Sequence, residues 1–85
     1  MSAEEGRQRY ASTLNQRMGR RQKIQVTTEG PAMTTLKMTW PTEGGGEGHI
    51  EKFKRAKPFF AELKGRGYSK LSCWIGSKEI WSKDL

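Results

Sequence analysis

The sequence predicts a single small α+β domain, with two helices packed on one face of a four-stranded antiparallel sheet. Two stretches carry apolar residues at three- and four-residue steps, and each is followed by a pair of stretches that alternate with period two, giving the order αββαββ. The chain has 85 residues, of which only 33% are apolar and 29% charged, so its core must be thin. Burial-minus-entropy arithmetic for chains of this size comes out near zero, so a partner or a second copy could add materially to stability.

The first helix is predicted in "SAEEGRQRYASTLNQRMG". Ser2 and Glu5 have capping-box spacing, in which each side chain satisfies an unpaired backbone N–H. Tyr10, Leu14 and Met18 recur every four residues with Ala11 beside them, forming one apolar stripe. Gly19 is the expected stop, and Arg20 and Arg21 follow it, where the helix dipole is negative.

"KIQVTTEGPAMTTLKMTWP" reads as a hairpin. Ile24 and Val26 share a face with Leu36, Met38 and Trp40, whereas Gln25, Thr27, Thr35, Lys37 and Thr39 take the other. Pairing Val26 with Leu36 and Ile24 with Met38 around Gly30-Pro31 keeps both apolar sets together. Residues 42–48 are glycine-rich and read as a flexible linker between two αββ halves of one domain spanning 1–85. A phosphate-cradling loop is disfavoured there: no GK[ST] follows, and Glu43 and Glu47 would repel phosphate.

Ile50, Phe53, Ala56, Phe60 and Leu63 mark the second helix, which Pro58 should kink or break. The final hairpin, Tyr68 to Ile75 and Lys78 to Leu85, closes on Gly76-Ser77, a pair suited to a two-residue II′ turn. That turn places Leu71, Cys73, Ile75 and Ile80 on one face and Tyr68, Lys70, Trp74, Trp81 and Lys83 on the other. A one-residue slip would instead put the two indoles on opposite faces. With the helices on the aliphatic face, Trp74 and Trp81 become an open aromatic surface flanked by lysines, the arrangement that single-stranded nucleic-acid binders use for stacking.

Sixteen Lys and Arg against nine Asp and Glu give a net charge of +7, which favours anionic partners. The charge is clustered. Arg7, Arg9, Arg17, Arg20, Arg21 and Lys23 fall in and after the first helix; Lys52, Lys54, Arg55, Lys57, Lys64 and Arg66 fall in the second helical region. From this pattern the expected nucleic-acid contacts are Arg17, Arg20, Arg21, Lys23, Lys52, Lys54, Arg55, Lys57, Lys70, Trp74, Trp81 and Lys83.

Chemistry is not expected. His49 is the sole histidine and Cys73 the sole cysteine, which disfavours a metal site and excludes an internal disulfide. Cys73 lacks an evident activating base, no triad pattern is present, and no cofactor is implied. No apolar run approaches the roughly 18 residues of a membrane span, so a cytoplasmic setting is expected. The sequence thus leaves two functions open. One is a small, basic, non-catalytic nucleic-acid-binding protein. The other is an accessory or inhibitory subunit that docks on a larger protein assembly or forms a homodimer through the tryptophan face.

Overall fold

Proline at position 58 divides the second helical stretch in two. In the computed structural model, which describes residues 3–43 and 45–85 but not the side chains of residues 20–22, the order is α1 (Ala3–Gln22), β1 (Gln25–Glu29), a 3-10 turn (Pro31–Met33), β2 (Thr35–Trp40), α2 (Gly46–Phe53), α3 (Lys57–Gly65), β3 (Lys70–Ile75) and β4 (Lys78–Asp84). Pro58 sits in the first turn of α3, where its missing N–H costs nothing. The expected two helices are therefore three. Ser2, half of the proposed capping box, lies outside the described residues.

The sheet order is β1-β2-β3-β4, and both hairpins are antiparallel as expected. The two central strands, however, run parallel, so the sheet is mixed and not antiparallel throughout. The cause is the connection: α2 and α3 form a crossover that returns the chain to the start of β2's neighbour, the linkage that parallel strands require.

The β1–β2 register is Val26 opposite Met38 and Thr28 opposite Leu36, two residues from the expected pairing. The loop is longer than Gly30-Pro31 implies, because Glu29 and Thr35 close it around a turn in which Gly30, Ala32 and Met33 all have positive φ. A shift of two preserves the faces. Val26, Leu36, Met38, Trp40, Leu71 and Cys73 thus form the buried side of the sheet, covered by Ala11 of α1, Ile50 of α2 and Leu63 of α3. The ring of Phe53 links Trp40 to Phe59, with centroids 5.7 and 5.5 Å away.

The glycine-rich stretch is not all linker. Gly46 begins α2 and is buried against Trp40, so that a Cβ there would come within 2.7 Å of the Trp40 Cβ. Gly44 lies outside the described residues.

The last hairpin has the expected two-residue turn: Ile75 pairs with Lys78 and Gly76 takes φ 61°, as the first position of a II′ turn requires. The faces nevertheless differ from expectation. Trp74 pairs with Glu79 but Cys73 pairs with Trp81, leaving Ile80 as the extra residue of a bulge, 41% exposed. Beyond it every side chain of β4 changes face. Trp81 and Lys83 therefore join the helix side, Trp81 beside Phe60 with centroids 6.1 Å apart and the Lys83 ammonium 5.3 Å from the Phe60 ring. Tyr68 also leaves the open face: it is buried, and its hydroxyl donates to the backbone carbonyl of Arg7.

Candidate nucleic-acid interface

The open face of the sheet carries one tryptophan, not two. Trp74 stands in a row with Gln25, Thr39 and Glu79, beside a row of Thr27, Lys37, Ser72 and Ser82. Its indole N–H donates to Ser72 Oγ at 2.6 Å, and Ser72 Oγ donates to Glu79 Oε1 at 3.0 Å. The Lys37 ammonium lies 4.2 Å from the Trp74 ring centroid while pairing with Glu29 at 3.2 Å. The indole is thus pinned at its edge and capped on its face. Lys70 is on the same surface, opposite Asp84. Two lysines, Lys37 and Lys70, meet three carboxylates, Glu29, Glu79 and Asp84. A surface so balanced has no net pull on phosphate.

The helical layer differs. Arg9 and Arg17 lie two helical turns apart on α1, roughly 12 Å by helix rise. With Arg66, just past α3, they line a groove of about 420 Å³ between α1 and α3, together with Tyr10, Phe59 and Glu62. The Arg66 guanidinium lies 3.9 Å from the Tyr10 ring centroid and bonds Glu62 at 3.3 Å. Burial, and next the charge of Glu62, raise the pKa of Tyr10, so its hydroxyl stays protonated and neutral at physiological pH. The ion pairs among the described residues, Lys37–Glu29, Lys54–Glu51 and Arg66–Glu62, leave Arg9 and Arg17 out.

The other expected contacts are dispersed. Lys52, Lys54, Arg55 and Lys57 are exposed along α2 and the junction into α3, with Lys54 held by Glu51 at 2.8 Å. Lys23 is exposed just after α1, at φ 54°. The side chains of Arg20 and Arg21 lie outside the described residues. Arg7, counted with the first basic cluster, is structural: it is buried, and its Nε and Nη2 both donate to the Ala32 carbonyl, at 3.1 and 2.6 Å.

The groove residues Arg9 and Arg66 were not among the expected contacts. Arg9 could have been found from its two-turn spacing to Arg17, whereas Arg66 joins them only through the way α3 packs.

No family model matches this chain, and neither a curated protein nor a solved structure does. Among the described residues no group of three or more His, Cys, Asp and Glu side chains is placed to hold a metal ion, and no helix is long and apolar enough to cross a membrane. Cys73 is buried, and desolvation, followed by the charge of Glu79, pushes its thiol up to about 12. A thiol so protonated is a poor nucleophile at neutral pH.

Proposed function

We propose that this chain is a small, non-catalytic, cytoplasmic nucleic-acid-binding protein that uses its helical layer, with the α1–α3 groove at the centre. The observation that carries this reading is the convergence of Arg9, Arg17 and Arg66 on one groove, in a chain of net charge +7. Glu62 neutralises part of Arg66, which leaves Arg9 and Arg17 as the principal phosphate contacts. Lys52 of α2, Arg55 of the junction and Lys57 of α3 add exposed positive charge to the helical layer. The balanced charge of the sheet's outer face and the capped ring of Trp74 remove the sheet from this role.

The test is the salt dependence of binding to a duplex oligonucleotide. The logarithm of the binding constant should fall linearly with the logarithm of salt, and each arginine lost from a phosphate should reduce that slope by about 0.9. Arg9→Ala and Arg17→Ala should each do so, whereas Lys70→Ala should not. Binding without a salt slope, or a slope unaltered in both arginine variants, would sink the proposal. The alternative, an accessory subunit docking on a larger assembly, draws support from the uncovered near-neutral sheet face around Trp74, a surface better matched to protein than to phosphate.

A further inference from the structure

The groove between α1 and α3 has two kinds of lining. Its rim is charged and exposed, with Arg9, Arg17 and Arg66 beside Glu62. Its floor is apolar and half-buried, made of Tyr10, Leu14 and Phe59. Phosphate accounts for the rim but not for the floor, since it has no apolar face to set against a ring. At about 420 Å³ the groove falls within the roughly 300–1,000 Å³ of small-ligand sites, large enough to admit a planar ring. The Arg66 guanidinium is also placed for stacking. It rests over the Tyr10 ring, 3.9 Å from the centroid, while its Nη2 donates to Glu62 Oε1 at 3.3 Å. The Arg66 side chain is still 48% exposed, so a second ring can reach the guanidinium from the groove. Unpaired bases stack on arginine planes as well as on aromatic rings.

Which form of nucleic acid fits follows from what each form exposes. A duplex keeps its bases stacked inside, offers the rim only phosphates, and must break pairing and stacking to extrude a base. A single strand offers phosphate and base together. We propose that the α1–α3 groove is a single-strand site. Arg9 and Arg17 hold phosphates along the rim, while one unpaired base enters the groove, stacks on the Arg66 guanidinium and covers the floor at Tyr10 and Phe59. This inference rests on the nucleic-acid reading above and adds to it the class of strand that is bound. A duplex binds through the same two arginines, but more weakly, because it makes no base contact. The preference is for strand form and not for sequence, since every base has a π face.

The test compares three labelled probes of equal length on the full-length protein by fluorescence anisotropy: a duplex, oligothymidylate, and a strand of the same backbone with every base removed. Wild type should bind oligothymidylate more tightly than the duplex, and about 5- to 150-fold more tightly than the abasic strand, the range of one stacked base. Arg66→Lys keeps the charge but has no plane to stack on. It should lose about tenfold on oligothymidylate, within that stacking range, while its affinity for the abasic strand and its salt slope stay those of wild type. A merely structural change would move both strands together, and circular dichroism checks that the fold is kept. Trp74→Ala, on the open face of the sheet, should retain the preference for bases. If no probe binds with a salt slope, the nucleic-acid reading falls and this inference with it. Salt-dependent binding that is equal for oligothymidylate and the abasic strand overturns the single-strand site alone. So does oligothymidylate bound no more tightly than the duplex, or a base preference that survives Arg66→Lys but is lost in Trp74→Ala.

Discussion

Trp81 lies against Phe60 on the helix side of the sheet, with ring centroids 6.1 Å apart, while Trp74, its expected neighbour, faces the opposite way. The two indoles consequently make different contributions. Trp81 is half-buried and packs against the core, whereas Trp74 lies under Lys37 and bonds Ser72 on the open face.

Substituting each tryptophan by alanine separates these contributions. Trp81→Ala should destabilise the fold by about 2 kcal/mol, less than a fully buried ring would cost, because only part of its surface is packed. Trp74→Ala should cost under about 1 kcal/mol, the scale of an exposed cation–π contact. Urea unfolding of both variants checks the order, and equal losses would contradict the bulge.

Arg7 should be irreplaceable by lysine. Its Nε and Nη2 converge on one carbonyl, Ala32, which sits in left-handed backbone at φ 56° and ψ 22°. Gly67, at φ 93°, passes so close to the guanidinium that a Cβ would lie 2.7 Å from Arg7 Nη1. A lysine has no planar fork to repeat the two-donor contact. Arg7→Lys and Arg7→Ala should each lower stability by about 1–3 kcal/mol, the scale of a hydrogen bond made by a charged group. Thermal melts of both variants provide the measurement.

How much was legible follows from which residues carry periodic information. The stripe of Tyr10, Leu14 and Met18, the alternation through Leu36, Met38 and Trp40, and the break at Pro58 are local patterns, and the elements they announce are present. The parallel pairing of β2 with β3 depends on where α2 and α3 carry the chain, and no local period encodes that. The Ile80 bulge is the sharper case. Cys73, Ile75 and Ile80 alternate correctly for a regular hairpin, yet burial of the larger Trp81 against Phe60 wins over burial of Ile80. That one extra residue moved half of the expected aromatic surface to the core side. The basic clusters were legible as sequence, but their meeting point was not, because Arg9 and Arg66 are brought together only by packing.

Two glycines of α2 should respond oppositely to alanine. At Gly46 a Cβ would meet Trp40 Cβ at 2.7 Å and Cγ at 3.0 Å, both atoms of a fully buried side chain. Gly46→Ala should therefore cost about 1–3 kcal/mol through overpacking. At Gly48 nothing lies within 4 Å of the added methyl, and φ is not positive. Gly48→Ala should stabilise by up to about 1 kcal/mol, the helix-propensity difference. Opposite shifts of the urea midpoint confirm the pair.

Stability should decline in alkali, by a route set by two buried acids. Burial pushes the Cys73 thiol from its ordinary 9.0 up to about 12, and the Tyr68 hydroxyl, mainly by burial, from 10.0 to about 12. Both are favoured neutral in the folded state, so the unfolded chain releases their protons first. Their contribution is complete below pH 9.0 and is lost as pH rises toward 12, with Cys73 acting alone over the first unit and Tyr68 joining above 10.0. Cys73→Ala should flatten the fall in melting temperature from its beginning. Tyr68→Phe should flatten it only above pH 10.0, from a lower starting stability, because the hydroxyl bond to the Arg7 carbonyl is also gone. Melting curves recorded across that range for the three proteins distinguish the two acids, and an identical pH slope in all three would exclude both as the cause.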